Sequence, residues 1–450
     1  MVDLPREFVE RIKAQLGEEA EAFFASLDTP SPTSIRLHHL KGKSSFAYEA
    51  SVPWCSNGYY LATRPAFHLD PHWHAGAYYV QEASSMVLDY VINQLALDDQ
   101  PRIWLDLCAA PGGKTGILAS HLGPADVLVA NEVVGQRRSI LRENLTRAGY
   151  LNIMITGENA SAFQEPFADI LLIDAPCAGE GMMRKEPEAI RQWTPALVES
   201  CSHLQKHIVT DAARALKENG FLIYSTCSYS MEENINNIRH FIREFQMQPV
   251  SLSFPEEWSI MTIREDDATG YQLYPHKVKG EGLFIAVLKN VSPGETKYRK
   301  ARKPFNLYEA PPTWLTAHLA DPANILVRKN NPQLQLITAQ AEAKANEVLM
   351  YLPRAEVLAE AGELKGKDFV PSHFMAMAGF QHDHYGILDL DFSGALDYLE
   401  RTVQSLPTGH KPGWYLCRFE GTQLGWAKYT SQGWKNHYPM NWRLRDRKPK

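Results

Sequence analysis

The sequence has no two cysteines close together. They fall at 55, 108, 177, 201, 227 and 417. This removes the CxxC spacing of a structural zinc site, so no metal is expected, and six cysteines in 450 residues are too few for a disulfide framework. The thiols are therefore expected to be reduced, as in a cytoplasmic protein. No apolar run is long enough to cross a bilayer, so no membrane contact is expected. The opening MVDLPREFVERIKAQLG lacks the apolar stretch of a secretory signal. Positive charge is not in excess either: the net charge of -6 argues against nucleic-acid binding over the whole surface and leaves only local basic patches. The GxGxxG fingerprint of nicotinamide cofactors is also absent. What remains, 44% apolar and 22% charged residues over 450 positions, is ordinary globular composition in a chain too long for one core.

Residues 1–75 read as a small α/β module. Asp3 and Pro5 suit a helix start, with Phe8, Ile12 and Leu16 at i, i+4 spacing. SIRLHHL and SFAYEASVPW follow as short strands after the break TPSPTS. From residue 76 the pattern changes. GAYYVQEASSMVLDYVINQLAL (76–97) reads as a helix with Met86, Tyr90, Ile92 and Leu95 inward. IWLDL, DVLVANE, NIMIT, ADILLIDAP and GFLIYSTCS then alternate with helical segments, and GLFIAVLKN closes the unit at 290. This alternation predicts an α/β fold with a parallel, doubly wound sheet, and the continuous apolar strands fit burial on both faces. Residues 291–305 form a linker with five basic residues between Lys297 and Lys303, read either as a solvated tether or as an RNA-backbone contact. Residues 306–385 read as a small mixed module. Residues 386–450 carry Trp414, Tyr415, Trp426, Tyr429, Trp434, Tyr438 and Trp442 and suggest a compact β-rich unit, with most rings in its core and a few free to stack on bases.

The loop LDLCAAPGGKT (105–115) nearly spells the phosphate-binding GxxxxGK[ST], and ILLID resembles a magnesium-holding strand, which makes a P-loop ATPase a rival. Three features weigh against it. Cys108 replaces the first glycine, Pro111 removes an amide donor, and Glu132 ends the next strand about 20 residues on, where a carboxylate grips ribose hydroxyls. An acid there suits a ligand with a bare ribose. With the nicotinamide fingerprint missing, S-adenosylmethionine is the expected cofactor. Ala109, Ala110, Gly112 and Gly113 allow close backbone approach. Asn159, after the third strand, is placed for the adenine edge or is a turn residue. Asp174 is placed for the methionine end or the substrate, or caps its strand. Arg137 is solvated, or reaches the ribose acid or the cofactor.

Cys177 in DAPCAGEGM and Cys227 in STCSYS each follow a buried strand, where an open sheet delivers side chains to one rim. Methyl transfer to nitrogen or oxygen needs no thiol. The C5 carbon of a pyrimidine does, because a thiolate must first add at C6 and a second group must help it leave. The other four cysteines, Cys55, Cys108, Cys201 and Cys417, read as small buried hydrophobes.

LDLCAAPGGKT, DAPCAGEGMMRK and IYSTCSYSMEEN closely resemble the RNA cytosine-C5 methyltransferases, and YYVQEASSM and YPHKVKGEGLFIAVLKN look like segments of the same family. The resemblance implies a Rossmann-like methyltransferase domain over 76–290, flanked by RNA-binding modules. It implies Cys227 as the nucleophile on C6 and Cys177 as the residue that assists release. It implies S-adenosylmethionine held by Ala109, Ala110, Pro111, Gly112, Gly113, Lys114 and Thr115 with Glu132 on the ribose, Asp174 as a site carboxylate, and Lys114 orienting the base. Asn159 stands where the family usually has Asp, and an amide carbonyl can still accept from adenine. The tail GWYLCRFEGTQLGWAKYTSQGWKNHYPMNWRLR resembles the PUA-like RNA-binding tail of the F-type bacterial small-subunit ribosomal RNA methyltransferases. Ribosomal RNA is thus the expected partner, with transfer RNA or an inactive RNA-binding assembly role as alternatives and a monomer as the default. The target cytosine must leave its stack to reach Cys227.

Overall fold

The computed structural model describes residues 3–292, 307–330, 333–366, 368–379, 381–402 and 409–448. The basic cluster 297–303 lies outside the described residues. Among those described, no helix is long and apolar enough to cross a membrane.

The first helix runs Arg6–Leu16, starting directly after Pro5, and buries Phe8 and Ile12 as its spacing predicts. These two side chains join a cluster with Phe23, Met183 and Trp193. The N-terminal helices therefore brace the segment that follows Cys177. Strands β1 (Thr33–Leu37), β2 (Tyr48–Ser51), β3 (Gly58–Leu61) and β4 (Tyr78–Val80) form an antiparallel sheet in the order β2-β3-β1-β4. Strand β4 corrects the expected helix over 76–97: Tyr78–Val80 pairs with Ile35–Leu37, and the α-helix begins only at Val87. Met86, Ile92 and Leu95 are buried as expected, with Tyr90 packed partly against the core.

The central strands are β5 (Ile103–Asp106), β6 (Val127–Asn131), β7 (Ile153–Thr156), β8 (Ala168–Asp174), β9 (Leu216–Thr226), β10 (Met247–Pro249), β11 (Met261–Glu265), β12 (Ala268–Leu273) and β13 (Leu283–Asn290). The sheet order is β11-β12-β13-β9-β8-β5-β6-β7, with β10 beside β13. From β9 to β7 every pair is parallel, and the core strands β5, β6 and β7 are buried at every residue. A fully buried side chain of this kind contributes roughly 1.5–3 kcal/mol. Not all of the sheet is parallel, however. Strand β13 runs antiparallel to β9, and β11 and β12 extend that antiparallel wing. The chain reverses between β5 and β8, so the loops after these two strands diverge and open a crevice at the carboxyl rim.

The chain beyond the linker does not stand apart. It forms the hairpin β14 (Ile325–Asn330) and β15 (Gln333–Thr338), then β16 (Glu356–Val357), which pairs with β7 and completes the far edge of the central sheet. Val327, Leu336 and Val348 share one apolar core with Leu128 and Ile153. After the small hairpin β17 (Gly362–Lys365) and β18 (Asp368–Pro371), the tail folds as β19 (Gly386–Leu390), β20 (Gly413–Phe419), β21 (Thr422–Thr430) and β22 (Gly433–Asn436) in that spatial order. The helix Phe392–Leu399 packs against β19 and β20. Trp426 and Tyr438 are fully buried, and the other five rings singled out in the tail are half-buried.

Candidate active site

The loop after β5 is held in place from behind. Asp106 ends the strand and accepts the Thr115 hydroxyl at 2.7 Å, which closes the loop onto its own helix. Burial pushes the Asp106 carboxyl up to about 7. Gly112 has φ of +111°, a conformation that a side chain would strain, and the helix Gly113–Ser120 starts directly after it. The Ala109 amide donates to Asn131 O at 2.9 Å, and the Pro111 carbonyl accepts from Asn144 Nδ2 at 2.8 Å. Asn131 in turn donates to Leu107 O and Glu158 O, both at 3.0 Å, and so ties the rims of β5, β6 and β7 together.

Glu132 follows β6 and is 3% exposed. Its Oε1 accepts the Val134 amide at 2.9 Å, while Oε2 has no hydrogen-bond donor among the described residues. Arg137 Nη1 lies 3.4 Å from Oε2, within ion-pair reach but outside hydrogen-bond geometry, and Arg137 Nη2 donates to Ala110 O at 2.9 Å. Arg137 thus joins the loop to the acid. A buried carboxylate oxygen lacking a donor is costly unless something supplies one, and a vicinal diol has the matching chemistry. Asn159 is exposed at the rim after β7, heading a single turn, and its side chain makes no capping bond.

Lys114 turns toward the end of β8. Its Nζ pairs with Asp174 Oδ2 at 2.8 Å, and Asp174 Oδ1 accepts the Ser225 hydroxyl at 2.8 Å. Burial alone would lower the Lys114 pKa. The charge of Asp174, with Cys227 and Glu82 adding to it, outweighs that and raises it. The loop after β8 and the end of β9 bring the two thiols together: Cys177 Sγ and Cys227 Sγ are 3.0 Å apart, and both are free. The hydrogen bond to Cys227, together with burial, raises the Cys177 pKa well above that of an ordinary thiol. Of the other four cysteines, Cys55 and Cys417 are buried as read from sequence, while Cys108 and Cys201 are half-buried.

The crevice therefore gathers Lys114, Asp174, Cys177 and Cys227 at one end and residues 109–113 of the loop, Glu132 and Arg137 at the other, with Asn159 on the rim. Sequence reasoning missed Asp106, Asn131 and Ser225. Asp106 carried a signal, a carboxylate closing an apolar strand; Ser225 carried none.

Comparison with known proteins identifies the family. Residues 92–289 match the family described as 16S rRNA methyltransferase RsmB/F, residues 4–83 the N-terminal domain of 16S rRNA methyltransferase RsmF, and residues 386–444 the methyltransferase RsmF PUA domain. Ribosomal RNA small subunit methyltransferase F of Aliivibrio fischeri is 32% identical over 67% of this chain and 68% of its own. The protein of that name from Shewanella piezotolerans is 28% identical over 98% of both chains. Among solved structures, a methyltransferase homolog protein from Pyrococcus horikoshii matches with a TM-score of 0.52 and 28% identity, over 64% of this chain and 96% of its own. The family uses S-adenosylmethionine. On fold, site and similarity together, the chain belongs to the 16S rRNA methyltransferase RsmB/F family.

Proposed function

We propose that this protein methylates C5 of a cytosine in small-subunit ribosomal RNA, with S-adenosylmethionine as donor, working as a monomer in the cytoplasm. The observation that carries this reading is the pair of free thiols in contact beside Lys114 and Asp174, at the open end of a loop suited to a ribose-bearing cofactor. A thiol pair has no use in methylation of nitrogen or oxygen.

The residues fit the cofactor. Loop 109–115 would hold it, Glu132 Oε2 would accept from its ribose, Arg137 would keep that acid in place, and Asn159 would meet the adenine edge. When bound, the cofactor supplies an electrophilic methyl group. The protein supplies the rest. The Cys227 thiolate adds to C6, which makes C5 nucleophilic, and the Lys114–Asp174 pair holds the polar edge of the base. After C5 is methylated, the C6–S bond must break and the C5 hydrogen must leave. Cys177, in contact with Cys227 at 3.0 Å, gives its thiol proton to the departing Cys227 sulfur and receives the C5 hydrogen as a proton in return. The next turnover begins when Cys227 releases its proton to solvent.

Bisulfite sequencing of small-subunit RNA from cells with and without the gene tests this reading. One or more cytosines should lose protection in the deletion strain and regain it on complementation with the wild type. Regained protection with Cys227→Ala would reject the mechanism.

A further inference from the structure

Two carboxyl groups lie just behind the thiol pair and take no part in the mechanism above. Glu180 belongs to the loop of Cys177 and reaches the other loop. Its Oε1 accepts Trp193 Nε1–H at 2.8 Å and the Ser230 hydroxyl at 2.6 Å. Its Oε2 accepts the Tyr229 amide at 2.6 Å and lies 3.0 Å from Ser228 Oγ. Glu233 belongs to the segment after Cys227 and reaches back. Its Oε2 accepts the Ala178 amide at 3.0 Å and Gln205 Nε2–H at 2.7 Å, and its Oε1 lies 2.7 Å from Ser228 Oγ. Each acid thus springs from one cysteine loop and binds the backbone of the other. Glu180 is 1% exposed and Glu233 0%.

The bridge between them is one hydrogen short. Ser228 Oγ accepts the Ser230 amide at 3.1 Å and has a single hydrogen to give, yet it touches both carboxyls. If both acids were ionised, one contact would set oxygen lone pairs against each other in a buried site. Glu180 has both oxygens filled by donors and no room for a proton. Among the described residues, Glu233 Oε1 has Ser228 as its sole hydrogen-bond partner.

We propose that Glu233 is a protonated positioning residue: it donates from Oε1 to Ser228, Ser228 donates to ionised Glu180, and this chain locks the two cysteine loops so that their sulfurs stay in contact. The inference rests on Cys177 and Cys227 being the reacting thiols.

Burial is the main reason that Glu233 is pushed up to about 7, and the Glu180 charge adds to it against the Ser228 and Gln205 hydrogen bonds. The titratable groups facing it are Glu180 and Cys177 on the loop after β8, Tyr224 on β9, and Cys201 on the helix Pro195–Ala212. The donors it meets, from Ala178, Gln205 and Ser228, are uncharged. Ionisation of Glu233 would leave one hydroxyl serving two anions and would push the Cys177 thiol further up.

The two isosteric amides separate this role from mere packing. In Glu233→Gln the carbonyl can keep the Ala178 and Gln205 bonds while the NH2 donates to Ser228, as the protonated acid does. In Glu180→Gln the NH2 must face two donors wherever it points. Full-length variants are assayed on small-subunit RNA from cells lacking the gene, over pH 6.5–8.5, with S-adenosylmethionine binding measured in parallel. Glu233→Gln should keep at least about a third of the wild-type kcat at pH 6.5, and the ratio of variant to wild-type kcat should rise about fivefold or more by pH 8.5, as the wild-type acid ionises. Glu180→Gln should lose about tenfold or more in kcat at every pH, with cofactor affinity within about threefold of wild type. A kcat ratio that stays flat within about twofold overturns the proposal, as does equal tolerance of the two amides, or a Glu233→Gln protein that binds cofactor but is inactive at pH 6.5. Full activity in Cys227→Ala would instead overturn the underlying mechanism.

Discussion

Lys114 and Asp174 are paired at 2.8 Å at the mouth of the crevice, with Lys114 drawn from the loop after β5 and Asp174 from the end of β8. The lysine of the sequence spelling that suggests a phosphate loop is thus held in an ion pair. The lysine crosses to the strand beyond the chain reversal, where Asp174 holds its charge. Neither residue is fully buried: the side chains are 14% and 34% exposed, so the pair is accessible from the crevice.

Lys114→Met leaves Asp174 with Ser225 alone. The expected result is a fall in kcat of about 100-fold, the equivalent of a lost charge-assisted hydrogen bond at about 1.5–3 kcal/mol, with cofactor affinity changed far less. Separate measurement of kcat and cofactor Kd checks this. A loss seen only in Kd would move Lys114 to the cofactor end.

Cys177→Ala should trap a protein–RNA adduct that survives a denaturing gel, because addition at C6 proceeds but departure of the sulfur is no longer assisted. Cys227→Ala should form none. An adduct in Cys227→Ala and none in Cys177→Ala would exchange the two roles.

Glu132 offers one buried oxygen that lacks a hydrogen-bond donor among the described residues. Glu132→Gln should weaken S-adenosylmethionine binding about 10- to 100-fold with little effect on RNA affinity, because the lost bonds are to a charged acceptor. Calorimetric titration with S-adenosylmethionine gives the answer directly, and an unchanged Kd would remove Glu132 from the site.

Much of this organisation is legible in the sequence, for physical reasons. Strands buried on both faces are written as uninterrupted apolar runs, so β5 to β9 and β13 can be read off, and the crevice residues follow from their place at strand ends. The antiparallel hairpin Met261–Leu273 escapes because its first strand is half solvated and polar, which resembles a loop. Strand β4 escapes because its aromatic residues run on into the apolar pattern of the following helix. The bonds of Glu180 and Glu233 escape because they cross between loops far apart in sequence, and no periodicity records such a pairing.

Stability should fall as pH rises from about 4 to about 7. Asp106 and Glu233 both have folded-state pKa values raised to about 7, so within that window the folded protein holds protons that the unfolded chain has released. Each contributes at most about 1.4 kcal/mol per pH unit. Asp106→Asn should flatten part of this slope in urea melts at successive pH values. An unchanged slope would mean that Asp106 is ionised in the folded state.

Neutralising the basic residues of 297–303 should lower RNA affinity and flatten its dependence on salt, by about one power of salt concentration for each phosphate that the segment no longer neutralises, without changing cofactor binding. An unchanged salt slope would leave that segment as a tether.

Strand β16 has a consequence for how the protein is made. Its two residues, Glu356 and Val357, cap the β7 edge, and Arg142 on the helix Gly135–Ala148 reaches Glu356 at 2.5 Å. During synthesis, residues 153–156 leave the ribosome long before the strand that shields them. Until then the growing chain presents a bare apolar ribbon, open to pairing with its neighbours on a polysome. A chain cut after Asn290 would keep every crevice residue and still carry that naked edge, so its yield in soluble form would be limited by self-association rather than by loss of chemistry.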